Sequence, residues 1–571
     1  MRRPSLLARL GSLVFVAVFV SACAVPSVAA LSGAAGLGIA AADRGAGPST
    51  ATSARQGASS EVHLPSIEPP TLDPGLAEDS ASIDIISQMF DGLVAYDAYG
   101  GVSGVGAESW TISADGLTYT FKLRQGPTWS DGQPVTAQDY AWAWKRNVSP
   151  VTASPYANAL FPIMNAQAIN DGELDPEQLG VQVVDDRTLV VTLEKPATYF
   201  LRLASTWTLF PLRQDTIEAN GDRWTEPGTL ISNGPYTLTE WVHETRIVLD
   251  RNERYWGQKP RIQRAIFQAF PEDGSEQVLA SYEAGEIDTT GAGVPAELPT
   301  TQIDRILADP VLSAEMKPIK QSATAFLAVN HRQPHLQDWR VRQALGLALD
   351  RQLILDAVLK RAGEPAYGLQ PEGIIGRQPD LWPHDDVAKA QQLLADAGYP
   401  GGQGFPEITF TYNTSAEWRI FAEYLQARWK ETLGINVRLE SMEWAVFLRW
   451  RRGDEWAQRG DLYRGSWFSD YEDPNNWYNL LWDSASDPTS FNGGWKNSQF
   501  DSIVRQATGE LDDKQRAAQY QQADMLMAQD YPHIPLFHYE IRSLIKPYLK
   551  GYDPARVLGL TPLRTMSLDP R

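Results

Sequence analysis

Residues 464–481, RGSWFSDYEDPNNWYNLL, place two carboxylates, Asp470 and Asp473, among aromatic side chains, two serines and a proline. The pattern is too irregular for one helix. A carboxylate in a cleft that excludes water could bind an ammonium group through a charge-assisted hydrogen bond, which is roughly twice as strong as a neutral one. The alternative is a surface turn in which either aspartate bonds its own backbone. Residues 469–474 taken alone favour the turn.

Motifs for other chemistry are missing from the sequence. It contains no G-x-S-x-G nucleophile motif, no H-E-x-x-H pair, and one cysteine, Cys23. His331 and His335 have helical spacing, but the proline between them argues against a helix, and neither this pair nor His533 with His538 has an obvious third ligand. The sequence therefore predicts no catalytic residues, no metal site and no cofactor. An enzyme remains an alternative.

Length and composition limit the class of protein. At 571 residues the chain exceeds the roughly 250–300 residues that one hydrophobic core supports, so two or more domains are expected. The 70 aspartates and glutamates outnumber 50 lysines and arginines, and the net charge of −20 argues against a nucleic-acid partner and favours a soluble monomer. The aromatic residues, 19 Trp, 21 Tyr and 18 Phe, are numerous enough to line a ligand cleft as well as the cores.

Residues 1–23 have the parts of an export signal. A basic start is followed by the apolar run LVFVAVFV (13–20), which is too short to span a bilayer. The sequence V-S-A-C that ends at Cys23 resembles a bacterial lipobox, so Cys23 is the predicted lipidation site. A plain signal peptide cleaved at an A-x-A site is the alternative. Residues 24–60, rich in Ala, Gly, Ser and Thr, are predicted to form a flexible linker.

After residue 60 the sequence mixes strand and helix patterns. Alternating runs rich in β-formers predict strands, and longer periodic runs with a capping residue and a terminal glycine predict helices. The predicted strands cover 117–124, 187–195 and 407–413, and the predicted helices cover 339–363, 386–398 and 417–434. Asp338 is the predicted N-cap of the first helix, and Gly363 is its predicted end. This order is typical of a mixed α/β chain.

Residues 106–146, GAESWTISADGLTYTFKLRQGPTWSDGQPVTAQDYAWAWKR, resemble the signature region of the family 5 solute-binding proteins, the extracytoplasmic receptors of peptide-type ABC importers. Further segments resemble this family in the expected order, and together they cover almost all of the chain after the linker. They are residues 71–97, 231–257, 284–290, 338–351 and 365–368. Ordered matches over such a length are far more specific than any single motif.

The resemblance implies an α/β fold of the two-lobe periplasmic-binding-protein type II-like kind, in its large three-domain variant, with a hinge and a central ligand cleft. Lobe 1 would be discontinuous, the additional domain would pack on it, and lobe 2 would follow. The predicted boundaries are 61–90 plus 216–322 plus 534–571 for lobe 1, 91–215 for the additional domain and 323–533 for lobe 2.

The resemblance also implies a function. The chain would capture peptides, with little preference among side chains, by hinge closure and deliver them to an ABC transporter permease in the inner membrane. It would be a monomer in the periplasm, held to a membrane only through a lipid anchor. A cell-wall peptide, a sugar or a metal chelate is an alternative ligand for the same fold, and an extracytoplasmic enzyme or chaperone is a less favoured function.

Within the family the closest likeness is to oligopeptide-binding proteins. In those receptors an aspartate in a W-x-x-D-Y-x-x-P setting pairs with the free α-amino group of the peptide. Trp467, Asp470, Tyr471 and Pro474 match that pattern. The resemblance therefore implies that Asp470 is the ammonium anchor, with Trp467 and Tyr471 beside the ligand, and it favours ligand binding over a simple turn.

Five further positions are implied to contact the ligand. Glu78 and Ser80 match a segment whose backbone runs beside the peptide in the oligopeptide receptors, and an exposed turn is the alternative. Tyr156, Trp444 and Phe447, like Trp467, match positions near pockets for ligand side chains, and core packing is the alternative for each.

The other end of the peptide is implied to lie near cationic side chains. Arg451 and Arg464 match arginines near the acidic end of the ligand, with exposed surface cations as the alternative. Trp418 stands where some relatives have a histidine that helps to hold the carboxylate, so the resemblance does not define the preferred peptide length. Phe468 and Ala323 stand where relatives often have a disulfide, in agreement with a single cysteine in the chain.

Overall fold

The structure is a computed structural model of the chain. It describes residues 60–96, 101–271, 273–291, 298–360, 362–452, 460–485, 491–554 and 560–570. The predicted signal peptide, its Cys23 and the predicted linker as far as residue 59 lie outside these residues. Within them, no helix is long and apolar enough to cross a membrane.

Short strands occur along the whole described part of the chain. They are β1 Glu61–Ser66, β2 Val94–Tyr96, β3 Val102–Gly104, β4 Ala107–Ile112, β5 Thr118–Leu123, β6 Val181–Asp185, β7 Thr188–Thr192, β8 Tyr236–Val242, β9 Arg246–Arg251, β10 Arg264–Ala269, β11 Met316–Val329, β12 Glu364–Pro365, β13 Ile408–Asn413, β14 Val437–Met442, β15 Leu462–Phe468, β16 His533–Leu544, β17 Leu549–Lys550 and β18 Ser567–Leu568. The three strands predicted from alternating patterns are confirmed as β5, β7 and β13.

Helices alternate irregularly with these strands. They are α1 Ser80–Met89, α2 Ala137–Val148, α3 Ala166–Asn170, α4 Phe200–Leu203, α5 Gln214–Asn220, α6 Ser275–Glu283, α7 Ile303–Ala308, α8 Pro310–Glu315, α9 Trp339–Leu347, α10 Arg351–Ala357, α11 Val387–Asp396, α12 Ala416–Leu433, α13 Trp444–Arg452, α14 Tyr478–Trp482, α15 Ser498–Thr508 and α16 Asp513–Asp530. The helices predicted at 386–398 and 417–434 are confirmed as α11 and α12.

The helix predicted over 339–363 is wrong as a single helix. Its start is confirmed, because the Asp338 side chain accepts a hydrogen bond from the backbone N–H of Arg340. However, α9 ends at Leu347, and Asp350 then accepts a hydrogen bond from the backbone N–H of Leu353 and caps α10. A capping aspartate satisfies the free amides of a new helix start, so the chain bends here instead of continuing. Gly363 lies beyond α10 and does not end it.

The strands form three main sheets. Strand order is β1-β10-β9-β8 in the first sheet, β4-β5-β7-β6 in the second, and β12-β16-β11-β15-β13-β14 in the third. The first sheet uses segments predicted for lobe 1, the second lies within the predicted additional domain, and most of the third lies within predicted lobe 2. The apolar residues of the third sheet share one large core with the helices around it.

Strands β11 and β16 connect two hydrophobic cores. Leu544, at the end of β16, packs in a small core with Tyr282 and Ile306, whereas Ala325 and Leu536 belong to the large core of the third sheet. The antiparallel ladder between the two strands has irregularities between Lys320 and Thr324 and again between Ala325 and Phe326. The predicted boundaries at 323 and 534 fall within this strand pair, and we propose it as the hinge between the lobes.

A buried ion pair holds the turn that follows β15. Nη1 and Nη2 of the Arg516 guanidinium donate to the two oxygens of Asp473, at 2.9 and 2.5 Å, and the side chains of Arg516 and Asp473 are 1% and 0% exposed. Asp473 also accepts a hydrogen bond from the backbone N–H of Asn475 and so caps the 3₁₀ turn Pro474–Asn476. A fully buried carboxylate is tolerated only with such partners, because the loss of its hydration is costly.

Removal of this pair should destabilise the protein. We expect Asp473→Ala to lower the free energy of unfolding by about 3–5 kcal/mol, because Arg516 would be left buried and unpaired. A guanidinium titration followed by tryptophan fluorescence measures the change. Glu177→Ala is the matched control, since Glu177 pairs with Lys145 while its own side chain is 78% exposed. An Asp473→Ala variant as stable as the Glu177→Ala variant would contradict the structural role of the pair.

Candidate functional site

A cavity of about 740 Å³ lies between two separate parts of the chain. One wall comes from residues 156–208, within the predicted additional domain, and the other comes from residues 470–508, within predicted lobe 2. Its aromatic and acidic lining residues are Tyr156, Phe161, Tyr199, Trp207, Tyr471, Asp171, Glu173, Glu194 and Asp470. A cavity of this size with aromatic walls and a few polar groups is typical of a site for a small ligand.

The sheet delivers Asp470 to this cavity. Strand β15 ends at Phe468, and the next residue, Ser469, donates its backbone N–H to the carbonyl of Ser322 at 2.8 Å. The hydroxyl groups of Ser469 and Ser322 also contact each other at 2.9 Å, and both residues are buried. Asp470 therefore follows immediately after a fixed point of the sheet, and it is half-buried at the wall of the cavity.

The side-chain amide of Asn476 forms hydrogen bonds with both the backbone and the side chain of Asp470. Its Oδ1 accepts hydrogen bonds from the Asp470 backbone N–H at 3.2 Å and from Trp467 Nε1 at 2.8 Å. Its Nδ2 donates to Asp470 Oδ2 at 3.1 Å. Asn476 itself is fully buried. One amide thus connects the predicted anchor with the predicted aromatic neighbour.

The surroundings of Asp470 make its negative charge unfavourable in the empty site. Burial raises the pKa of the carboxyl to about 6, although hydrogen bonds from Asn476 and Tyr156 partly oppose the shift. Both of these groups are neutral, and no ion pair of Asp470 is found among the described residues. The carboxylate can therefore gain from a cation that enters the cavity.

Aromatic contacts hold the two walls together. The rings of Tyr199 and Tyr471 stack across the boundary between the walls, with centroids 5.8 Å apart and planes at 9°. On the side of residues 156–208, the rings of Tyr156 and Trp207 are 5.1 Å apart. The Tyr471 hydroxyl donates to Asn475 Oδ1 at 2.7 Å, which orients the ring. These rings give the cavity a flat apolar surface beside the carboxylate.

Polar contacts cross the same boundary, and we call this set of contacts the seam. Arg202 Nη1 lies 3.3 Å from Asp473 Oδ2, and the backbone N–H of Thr198 donates to the carbonyl of Thr508 at 3.2 Å. The Tyr96 hydroxyl accepts a hydrogen bond from the backbone N–H of Glu472 at 3.1 Å. The seam therefore connects Glu472 and Asp473, which follow Asp470 in sequence, to the opposite part of the chain.

Four predicted ligand residues of lobe 2 do not line this cavity. Trp418 is 4% exposed and lies under the Arg464 guanidinium, whose carbon is 4.7 Å from the ring centroid. Phe447 is also buried, and the Arg451 guanidinium lies 4.4 Å above the ring of Phe491. These four residues lie in or against the large core of the third sheet, and their role in binding stays a prediction.

The predicted contacts near the start of the chain lie beside the cavity wall without lining it. Trp207 Nε1 donates to the carbonyl of Ala77 at 2.9 Å, which ties this segment to the wall. Glu78 follows with an exposed side chain, and half-buried Ser80 begins α1.

The remaining predicted ligand residue is Trp444. It begins α13, and its side chain lies outside the described part of the structure.

The structure thus brings together Asp470, Tyr471 and Tyr156, with Trp467 attached through Asn476. Sequence reasoning missed Asn476, Tyr199 and Trp207. The last two lie in segments of ordinary composition, far along the chain from Asp470, and no sequence signal pointed to them. Asn476 lies six residues after Asp470, and this short separation was the one feature of the sequence that could have indicated a contact between them.

The two positions at which the resemblance implies a disulfide in relatives lie next to each other in this chain. Ala323 of β11 and Phe468 of β15 are direct partners in the antiparallel ladder. The ring of Phe468 contacts that of Tyr539, with centroids 4.9 Å apart. A contact between aromatic rings therefore stands beside this strand pair.

A cavity between two separate parts of the chain, with a half-buried carboxylate in an aromatic wall, is typical of a class of protein, the ligand receptors. The described residues contain no group of three or more His, Cys, Asp or Glu side chains arranged to hold a metal ion. The chain belongs to the bacterial extracellular solute-binding proteins, family 5, because the family model described as "Bacterial extracellular solute-binding proteins, family 5 Middle" matches residues 102–489.

Curated relatives support this assignment. The periplasmic murein peptide-binding protein MppA of Escherichia coli is 35% identical over 494 residues, 85% of this chain and 88% of the relative. The periplasmic oligopeptide-binding protein OppA of the same organism is 34% identical over 509 residues, 87% and 90% of the two chains. The probable deoxycholate-binding periplasmic protein YgiS of E. coli is 37% identical over 494 residues, 85% and 89%.

Solved structures confirm the fold. The unliganded open form of the murein tripeptide-binding protein MppA is 33% identical, with a TM-score of 0.77 over 89% of this chain and 97% of that chain. OppA of Haemophilus influenzae in complex with the peptide RPPGFSPFR is 31% identical, with a TM-score of 0.71 over 89% and 99%. The family and the α/β fold predicted from sequence are therefore confirmed. The relatives are binding proteins by name.

The raised pKa of Asp470 predicts a pH-dependent stability of the ligand-free protein. Because the folded state binds the proton more tightly than the unfolded chain does, the stabilising effect is complete below about pH 4 and is lost as the pH rises through about 6. We therefore expect Asp470→Asn to raise the Tm relative to the parent at pH 7–8 and to leave it unchanged near pH 4. Differential scanning calorimetry across this range measures the difference. A difference between Asp470→Asn and the parent that is constant from pH 4 to pH 8 would contradict this account.

Proposed function

We propose that the chain is an extracytoplasmic receptor that captures peptides and delivers them to an ABC transporter permease, with Asp470 as the anchor for the free α-ammonium group. The observation that carries this proposal is the half-buried Asp470 carboxylate in an aromatic cavity, whose hydrogen-bond partners among the described residues are the neutral groups of Asn476 and Tyr156. An ammonium group supplies the missing positive charge through a charge-assisted hydrogen bond.

Binding and enclosure support each other in this arrangement. A carboxylate without a cation is costly to remove from water, and this cost falls when an ammonium group enters with it. The liganded site can therefore exclude water, and the empty site is more stable when hydrated. The ligand would in this way favour a closed arrangement of the walls over an open one, by as much as its affinity for the two arrangements differs.

The lining of the cavity fits ligands with varied side chains. Flat aromatic rings and amide or hydroxyl groups, among them Asn158, Gln167, Asn475 and Asn479, surround the anchor. Such groups contact many side chains without requiring one shape. The charged anchor and main-chain contacts would supply affinity, which leaves the receptor tolerant of sequence.

The names of the relatives support peptides as the ligand class and add one alternative. Two of the relatives bind murein peptides and oligopeptides by name, whereas a third is named as probably deoxycholate-binding. Deoxycholate is an anion without an ammonium group, so Asp470 would repel it, although the aromatic walls would suit its apolar body. The Asp470 carboxylate therefore favours a peptide over a bile acid.

The partners and location follow from the proposed role. The receptor would act as a monomer whose liganded form docks on a permease of the inner membrane, with the net charge of −20 keeping it soluble. Cys23 would carry a lipid, and residues 24–60 would tether the receptor body to the membrane surface. The proposed role is binding without chemical change of the ligand.

Peptide binding should depend on a free amino terminus. We expect peptides of two to six residues to stabilise the purified protein and so raise its Tm. At a hundredfold excess over the Kd, the free energy of unfolding should increase by about 2.7 kcal/mol. The same peptides with an acetylated amino terminus should leave the Tm unchanged. Asp470→Ala should weaken binding by about 3 kcal/mol, or about 100-fold, since it removes one partner of a buried charge pair. Calorimetric titration measures the affinities.

The control variant is Asp222→Ala, an exposed aspartate outside the cavity. Equal affinity of the parent and Asp470→Ala for a free peptide would show that Asp470 is not the anchor. Stabilisation by deoxycholate but by no peptide would replace the peptide proposal with the bile-acid alternative. Release of shortened peptides, followed by mass spectrometry, would reveal an enzyme.

Lipidation of Cys23 has a direct test. Expression in a bacterium that processes lipoproteins should give a mature chain that begins at Cys23 with attached acyl groups. Intact-mass spectrometry of the membrane fraction measures this. Cys23→Ala should move the protein out of the membrane fraction, and an unmodified parent chain that begins after an A-x-A site would support the plain signal peptide instead.

A further inference from the structure

We infer that Asn476 is a positioning residue of the ligand site: its side-chain amide fixes the orientation of the Asp470 carboxylate and favours the ionised form that binds a cation. This inference rests on the proposed role of Asp470 as the anchor. Asn476 has no contact with the cavity itself, since it is fully buried behind Asp470 and Trp467. It would act only through those two residues.

The chemistry of its neighbours allows one orientation of the amide. The indole N–H of Trp467 only donates, so the group that faces it must be the carbonyl oxygen Oδ1. The Asp470 carboxylate only accepts when it is ionised, so the group that faces it must be the amino group Nδ2. A flipped amide would place Nδ2 against the N–H of Trp467, donor against donor, and Oδ1 against the Asp470 carboxylate, acceptor against acceptor. The bonding pattern is therefore determined by the types of the neighbouring groups.

These bonds restrain Asp470 at its backbone and at its side chain together. Oδ1 holds the backbone N–H and Nδ2 holds Oδ2, so one rigid amide closes a ring with Asp470. A donor to the carboxylate stabilises the ionised form over the neutral one. The Tyr156 hydroxyl, on the opposite wall, is the second hydrogen-bond partner of the carboxylate. Positioning of this kind lowers the ordering cost of binding.

The turn that carries Asn476 is itself fixed. Asn476 ends the 3₁₀ turn that Asp473 caps, and Asp473 is held by the buried fork of Arg516. Arg516 therefore holds Asp473, Asp473 holds the turn that contains Asn476, and Asn476 in turn orients Asp470. The ionisable groups around Asp470 are Tyr156, Tyr471, Glu472 and Asp473 with its partners Arg202 and Arg516, and Asp171, Glu173, Glu194 and Lys195 in the cavity lining.

Asn476→Asp tests this inference with almost no change of shape. The new carboxylate accepts from Trp467 and from the Asp470 backbone as before, but its second oxygen meets Asp470 Oδ2, and two such carboxylates share a proton. We expect the pH at which peptide affinity is half-maximal to rise by at least one unit, which makes binding at pH 6 about tenfold weaker than in the parent. Calorimetric titration with a free tripeptide from pH 5 to pH 9 measures this.

Asn492→Asp is the matched comparison. It introduces the same change outside the cavity lining, where Oδ1 accepts from the backbone N–H of Gly494. A much smaller shift for Asn492→Asp than for Asn476→Asp supports direct positioning. Equal shifts for both variants would point to a general electrostatic effect, and no shift for Asn476→Asp would show no effect of the amide, so either result would overturn the inference.

A ligand-free measurement separates this inference from the proposed function. The pH dependence of the Tm without ligand reports the titration of Asp470, and it should move to higher pH in Asn476→Asp even if no peptide binds the parent. An unchanged profile would overturn the inference while leaving peptide binding untouched. If Asn476→Asp does not fold, Asn476→Ser, which is too short to bond Asp470 and Trp467 at once, should still move the profile to higher pH by removing the donor, and an unmoved profile would overturn the inference.

Discussion

The site depends on the buried ion pair between Asp473 and Arg516. This pair fixes a short turn after β15 that would otherwise have few internal restraints, since it consists of a single 3₁₀ turn and its flanking residues. Asp470, just before the turn, lines the cavity, and Asn476 at the end of the turn bonds Asp470 from the buried side. The second cation on Asp473, Arg202, comes from the opposite wall. One carboxylate therefore both fixes the turn after β15 and contacts the opposite wall of the cavity.

Two aspartates three residues apart thus have opposite electrostatic roles. Asp473 is saturated by cations of the protein, so its charge is structural. Asp470 accepts hydrogen bonds from the neutral side chains of Asn476 and Tyr156, and burial raises its pKa to about 6. Sequence alone does not separate these roles, because both residues stand in the same polar, aromatic stretch. The distinction depends on Arg516, which lies 43 residues beyond Asp473 and reaches it only through the fold.

Local patterns predicted much of the fold but less of the site. The Asp338 cap, the strands β5, β7 and β13 and the helices α11 and α12 were predictable, because alternation, periodicity and capping act within a few residues. The break before Asp350 was not, since a second capping residue inside an apolar helical pattern has no clear local signature. Family resemblance gave Asp470, Tyr471 and Tyr156, which do meet in one cavity. Asn476, Tyr199 and Trp207 depend on contacts across long stretches of chain, which no spacing rule encodes.

The pairing of Ala323 with Phe468 has a consequence for where the protein is able to fold. A chain whose only cysteine is Cys23 has no internal sulfur bridge to form, so its folded body requires neither an oxidant nor a disulfide isomerase. The ring contact of Phe468 with Tyr539 is equally strong in reducing and oxidising surroundings. Folding and ligand capture in this receptor are therefore independent of the redox potential of the compartment, and fluctuating oxygen supply or thiol stress leaves the joint between β11 and β15 unchanged.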